Sequence, residues 1–177
     1  MATPFPEQLQ TSRLSLSRMT APDFPELLAM YQDPRIMATL GGFRSDEEWQ
    51  TRHKFNLDHW REHGFGWWAA RLRADDRFVG RGGLRRVFIG GQNEIELGYG
   101  LLTEYWGQGL ATELAAASVR AAFDVLKVPE IVSFALPTNK ASRRVMEKVG
   151  FQYEKDVVWA DLPHVLYRLR AGAENHK

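Results

Sequence analysis

Two glycines, one residue apart, stand where the hydrophobic pattern of this chain changes its period. From Glu94 to Leu102 the residues alternate, with Glu94, Glu96 and Gly98 on one face and Ile95, Leu97 and Tyr99 on the other. That period of two belongs to a strand. From Gly109 onward, Leu110, Leu114, Ser118, Ala121, Ala122 and Val125 recur at helical spacing, and the alanines among them let a helix lie close to a sheet. The junction reads Tyr105-Trp106-Gly107-Gln108-Gly109-Leu110-Ala111-Thr112. Glycines there let the backbone turn sharply and aim successive N–H groups at one point, where the helix N-terminus adds partial positive charge. Such a turn suits a pyrophosphate. Two glycines also occur in ordinary strand-to-helix turns, so the surroundings have to decide. A Rossmann fingerprint would need glycine or alanine at Thr112 and repeated βαβ units. A Walker loop would need a lysine after the glycines. Neither is present.

The surroundings describe one domain. Arg13 to Met19 alternates like a strand, and Phe24, Leu27, Leu28 and Tyr31 give helical spacing to about Asp33. Ser45 with Glu48 forms a capping box for a helix that Gly64 ends. Three strands follow, over 65–72, 78–88 and 94–102, with turns at Asp75-Asp76 and at Gly90-Gly91-Gln92-Asn93. They predict an antiparallel meander. The helix from Gly109 then leads to the short apolar run Ile131–Ala135, and strand–helix–strand at this spacing predicts a parallel pair. Asn139 opens another helix, and Gln152 to Leu169 reads as a closing hairpin around Asp161. Residues 1–12, without a period, read as an arm, 13–170 as the domain and 171–177 as a frayed tail. The class is α+β: a mixed, mostly antiparallel sheet of six to seven strands flanked by about four helices.

Composition narrows the function classes. With 23 Lys+Arg against 22 Asp+Glu the net charge is +1, which argues against nucleic acid as a partner. Without cysteine the chain has no thiol nucleophile, disulfide or thiolate metal site. No apolar run approaches a membrane span and no leader pattern opens the chain, so the expectation is no membrane partner and a cytoplasmic location. His59-Trp60-Arg61-Glu62-His63 spells a zinc-hydrolase pattern. It abuts the helix-ending Gly64, has no evident third ligand, and reads instead as a solvated helix end. No metal is expected.

Three motifs in order resemble the GNAT N-acetyltransferases, in particular those that acetylate the N-termini of ribosomal proteins. Trp106-Gly107-Gln108-Gly109-Leu110-Ala111-Thr112-Glu113 is similar to that subgroup's acetyl-CoA loop, with Trp106 where most of the family carries Gln or Arg. Glu96-Leu97-Gly98-Tyr99 resembles its Glu-Ile-Gly-Tyr strand. Asn139 to Phe151 resembles its Asn-x-x-Ser helix ending in Gly-Phe, and Pro163 to Tyr167 its closing strand.

The resemblance implies a sheet splayed in the middle and direct acetyl transfer from acetyl-CoA, as co-substrate, to a protein N-terminal or small-molecule amine. It assigns the pantetheine edge to Gly100, Leu101 and Leu102, and the pyrophosphate to Gly107, Gln108, Gly109, Leu110, Ala111 and Thr112. It places Asn139, Ser142 and Arg143 beside the cofactor. The chemistry is attack by a neutral amine on a thioester, so a base must take a proton. Glu96 is the candidate and Glu94 the alternate. The Leu102 N–H is the candidate oxyanion donor. Many relatives place a tyrosine acid seven residues after the Asn. Here that position is Met146, which leaves Ser142 to protonate the thiolate. Phe43 and Trp67, with Trp49 and Trp68, are candidates to shape the amine pocket. A second reading is a CoA-binding sensor or scaffold that has lost catalysis. A homodimer is the default assembly.

Overall fold

The computed structural model describes residues 4–173. Eight strands form one sheet in the order β1-β2-β3-β4-β5-β6-β8-β7. They are β1 (Gln8–Gln10), β2 (Leu14–Arg18), β3 (Trp67–Leu72), β4 (Phe78–Ile89), β5 (Gln92–Leu101), β6 (Glu130–Ala135), β7 (Gln152–Trp159) and β8 (Leu162–Arg170). The helices are α1 (Phe24–Tyr31), α2 (Pro34–Met37), α3 (Asp46–His63), α4 (Leu110–Arg120) and α5 (Lys140–Lys148). A π-helical turn over Ala121–Val125 continues α4. Every neighbouring pair is antiparallel except β5 and β6, which are parallel as the βαβ pattern requires.

The sheet separates two cores, and β3 shows how. Its successive residues Trp67 and Trp68 point to opposite faces, as strand alternation demands. Trp68 is fully buried with Leu16, Leu84, Leu97 and Leu114 beneath α4. Trp67 lies in the other cluster with Leu27, Met30, Ile36 and Trp49, beneath α1, α2 and α3. Two-residue turns close two of the hairpins. Gly90 and Gly91 carry φ 60° and 82°, and Ala160 and Asp161 carry φ 50° and 61°. Paired positive φ values match the right-handed twist of the strands they join.

The sequence reading differs from the fold near the start of the chain. Part of the 1–12 arm is strand β1, paired with β2. Phe5 within it is buried and stacks on Trp68 at 4.9 Å between ring centroids. Pro4 and Pro6 interrupt the segment, so it shows no period to read. The helix expected to about Asp33 is α1, and a short helix that was not expected, α2, follows it, opened by Pro34 and capped by the Asp33 carboxylate on the Arg35 N–H. The sheet therefore has eight strands rather than six to seven, and there are five α-helices rather than four. Of the expected tail, 174–177 lies outside the described residues.

Candidate active site

The sheet opens where the parallel pair begins. β4 and β5 share ten register pairs, whereas β5 and β6 share only Glu96↔Val132. Past that pair the Leu97 carbonyl is met by the Ser133 hydroxyl at 2.8 Å. The Leu101 carbonyl, two pleats further on, is met by the Trp106 indole N–H at 2.9 Å. The Leu102 N–H faces the other way and donates to the Val79 carbonyl at 2.9 Å. Alternation then assigns the backbone groups of Tyr99 and Leu101 to the gap, and those of Gly100 and Leu102 to β4. Of the expected edge, Gly100 and Leu101 line the cavity, as does Tyr99, but the backbone of Leu101 and not that of Gly100 or Leu102 is on the gap side. The Leu102 N–H is already committed within the sheet and is not free to serve an oxyanion.

A cavity of about 760 Å³ runs through this gap. One end is the glycine turn. Gly107 (φ 73°) and Gly109 (φ 78°) adopt left-handed backbone, and Gly109 is the N-cap of α4. Gly107, Gly109, Leu110, Ala111 and Thr112 line the cavity. Gln108 does not: its carbonyl accepts from the Arg13 guanidinium at 2.8 Å, and its side chain donates to the Glu104 carbonyl. Arg13 also pairs with Glu113 at 2.8 Å, and Thr11 donates to the same carboxylate. Burial opposes these bonds, but they prevail and hold Glu113 below the usual carboxylate range.

The other end is built on the α1–α3 face of the sheet. Trp67 pairs in register with Gly83, Gly83 with Gly98, Arg81 with Gly100 and Arg85 with Glu96. The glycines leave a trough in this face, and the Trp67 ring lies in it, with a Cβ on Gly98 falling 3.2 Å from the indole. The Arg81 and Arg85 guanidinium carbons sit 4.0 and 4.7 Å from the centre of that indole. Arg85 pairs with Glu96 at 2.5 Å. Glu96 is 6% exposed and lines the cavity, and among the described residues its Oε1 has no hydrogen-bond partner.

The α5 side carries the remaining candidates. The Asn139 side-chain oxygen Oδ1 caps α5 by accepting from the Ser142 N–H at 3.1 Å, and Asn139 lines the cavity. Tyr99, on the face of β5 opposite Glu96, donates from its hydroxyl to the Ser142 carbonyl at 2.9 Å and lies 3.0 Å from Ser142 Oγ. A phenol has one proton, so Ser142 is the donor in the second bond. Burial pushes the Tyr99 phenol up. Arg143 faces away: it bonds the Tyr167 hydroxyl at 3.1 Å and the Pro137 carbonyl at 3.2 Å. Arg144, next in the chain, lines the cavity instead.

Four further expectations are settled by geometry. Phe43 is 68% exposed and does not line the cavity, whereas Trp67 and Trp49 do and Trp68 belongs to the opposite core. Glu94 is gripped by both terminal nitrogens of Arg168, which also holds Glu130 and Glu154. It does not line the cavity. Met146 is fully buried. His59 has both ring nitrogens engaged, Nδ1 with the Phe65 carbonyl at 2.9 Å and Nε2 accepting from the Arg86 N–H at 2.9 Å. It cannot ligate a metal without breaking one of them. Among the described residues no cluster of metal-binding side chains occurs, and no helix is long and apolar enough to cross a membrane.

Residues without a role in the sequence reading are Tyr99, placed only on a strand face and within the Glu96–Tyr99 motif, and the arginines Arg44, Arg52, Arg81 and Arg85 that line the same cavity. The register of Arg85 opposite Glu96 was the available signal for one of them.

Comparisons with known proteins agree with this geometry. Residues 13–152 match the family described as the acetyltransferase (GNAT) domain. The chain is 30% identical to the uncharacterized protein YkkB of Bacillus subtilis (strain 168), over 93% of its own length and 96% of that protein's. An acetyltransferase from Agrobacterium tumefaciens str. C58 superposes with a TM-score of 0.83 at 26% identity, covering 96% of this chain and 97% of the other. Mycobacterium smegmatis RimJ, solved with CoA-disulfide, shares the fold with a TM-score of 0.76 at 20% identity, over 97% of this chain and 90% of that one. With a family match across most of its length and a sheet that parts at the β5–β6 gap, the chain belongs to the GNAT N-acetyltransferases, whose acetyl donor is acetyl-CoA.

Proposed function

We propose that this enzyme acetylates a primary amine by direct attack within a ternary complex. The observation that carries the reading is the gap itself. The single register pair between β5 and β6 leaves backbone groups of Tyr99 and Leu101 facing a cavity that ends at the amides of the glycine turn. A pantetheine arm can complete the sheet there, with its pyrophosphate on the amides at the α4 N-terminus. The acetyl carbonyl then lies near Glu96. The amine nitrogen attacks the thioester carbon, and its surplus proton passes to Glu96 Oε1, directly or through water. The C–S bond breaks, Ser142 turns its hydroxyl proton from the Tyr99 oxygen to the thiolate, and water returns a proton to Ser142 as Glu96 releases the one it took. The products are an amide and free CoA.

The loop and strand motifs and the shared fold with RimJ support a placement near the ribosomal-protein N-terminal acetyltransferases, with a protein N-terminus or a small-molecule amine as acceptor. The test is acetyl-CoA with a panel of peptide N-termini, amino acids, polyamines and aminoglycosides, read by thiol release. Amine-dependent release is the expected result. Tight CoA binding with no release on any amine would select the silent CoA-binding reading instead.

A further inference from the structure

The cavity wall beyond Glu96 is far more cationic than a chain of net charge +1 suggests. Arg44, Arg52, Arg81 and Arg85 all line it, against the single carboxylate of Glu96. Arg85 and Glu96 neutralise each other. Among the described residues, Arg44, Arg52 and Arg81 have no carboxylate within ion-pair distance. Arg81 is only 6% exposed, and its one hydrogen bond goes to the neutral Tyr31 hydroxyl at 3.0 Å. Glu48, a turn before Arg52, is held on the Ser45 N–H. Burial, with Arg44 and Arg85 nearby, lowers the Arg52 guanidinium from its ordinary value.

The wall is also short of acceptors. The Arg44 Nε, Trp49 Nε1 and Trp67 Nε1 atoms are buried with no hydrogen-bond partner among the described residues. All three carry protons and can only donate. Each indole has two guanidiniums within 6 Å: Arg44 and Arg52 about Trp49, at 5.8 and 5.9 Å, and Arg81 and Arg85 about Trp67. Buried donors left unpaired are costly and ask for an acceptor. The pyrophosphate of the donor substrate does not meet this need. Its turn opens α4, whose buried residues pack on one face of the sheet, whereas Trp49 and Trp67 belong to the core on the other face. Arg144 and Lys148 line the cavity from the α5 side.

We infer that the acceptor is a small-molecule amine that also carries an anionic oxyacid group, a carboxylate above all, bound by Arg44, Arg52 and Arg81 with the two indole N–H groups while the amine is presented to Glu96. This rests on the transferase reading and names its substrate class. Guanidinium forks match carboxylate geometry, and a desolvated site strengthens the bonds. A simple cationic amine would meet three uncompensated positive charges on this wall, whereas a zwitterion brings the countercharge with it.

The experiment uses matched pairs: phenylalanine with phenethylamine, β-alanine with ethylamine, and phosphoethanolamine with ethanolamine. A peptide with an acidic second residue is compared with its amide counterpart. Thiol release gives kcat/KM, and calorimetric titration gives binding to the CoA-loaded protein independently of turnover. The expected result is a preference for the anionic member of about 10²-fold or more. Arg52→Gln and Arg44→Gln, both at partly exposed positions, should reduce that ratio about tenfold each without moving acetyl-CoA affinity. Equal or better use of the neutral amines, or binding that ignores the anion, would overturn the inference while leaving the transferase standing. A preference confined to the peptide pair would overturn its small-molecule part. Absence of turnover with preserved anion-selective binding would instead count against the transferase reading alone.

Discussion

The two ends of the cavity are built from different materials. The donor end is backbone: eight consecutive residues, two of them glycines with positive φ, at the mouth of one helix. The acceptor end is side chain: Tyr31 from α1, Trp49 and Arg52 from α3, Trp67 from β3 and Arg81 and Arg85 from β4. A backbone site depends on conformation, so it needs glycine at fixed offsets and leaves a contiguous mark. A side-chain site depends on which distant residues the fold brings together, and it leaves none. The donor end can therefore stay constant while the acceptor end is rebuilt residue by residue.

That contrast can be broken by mutation. Gly109→Glu should weaken acetyl-CoA binding by about 10³-fold, since a carboxylate would stand at the helix N-terminus where the pyrophosphate belongs and like charges at close range cost several kcal/mol. Its φ of 78° adds about 1–2 kcal/mol of strain, so the protein should still fold. Calorimetric titration of folded variant with unchanged affinity would remove the turn from the site. Glu96→Gln should lower kcat by about 10²-fold with acetyl-CoA binding retained, and the loss should shrink as pH approaches the amine's own pKa. A pH–rate profile that overlays wild type would place the base elsewhere. Tyr99→Phe and Ser142→Ala should each lower kcat only about three- to tenfold, because a thiolate already leaves well and the changes remove two and one neutral hydrogen bonds respectively. If Tyr99→Phe exceeds Glu96→Gln, the protonation of the leaving group governs the rate.

The smallest effect concerns stability. Burial holds the His59 and His53 imidazoles below their ordinary range. The unfolded chain then takes up protons first as pH falls through about 6.5, while the folded chain does not. Stability should be level above neutrality and decline from about pH 6.5 downward. Thermal melts across this range check it. A Tm constant to about pH 5 would mean that both rings accept a proton in place.

Much of this could be read from the sequence, and the omissions follow a pattern. The meander, the parallel crossover, the capping box at Ser45 and the glycine turn all declare themselves within a few residues. Strand β1 did not, because three residues preceded by Pro4 and Pro6 carry no period. Arg143 and Arg144 could not be told apart by spacing: either could have faced the cavity, and the Tyr167 hydroxyl on β8 captures the first. Glu94 and Glu96 share a face of β5, and only the long-range partner, Arg168 for one and Arg85 for the other, separates a structural carboxylate from one with a free oxygen. The arginine-rich wall was hidden by an average, since a net charge of +1 says nothing of where charges gather.

The clasp of Thr11 and Arg13 on Glu113 and on the Gln108 carbonyl joins positions 95 to 102 residues apart. A contact of that sequence separation forms late, after the intervening chain has ordered, so the turn acquires its bracing at the end of folding. It also couples two distant segments thermodynamically. Whatever opens the β1–β2 hairpin loosens the turn, and whatever occupies the turn holds the hairpin closed. Hydrogen exchange at the Arg13 amide, which donates to Glu113, would then slow on CoA saturation.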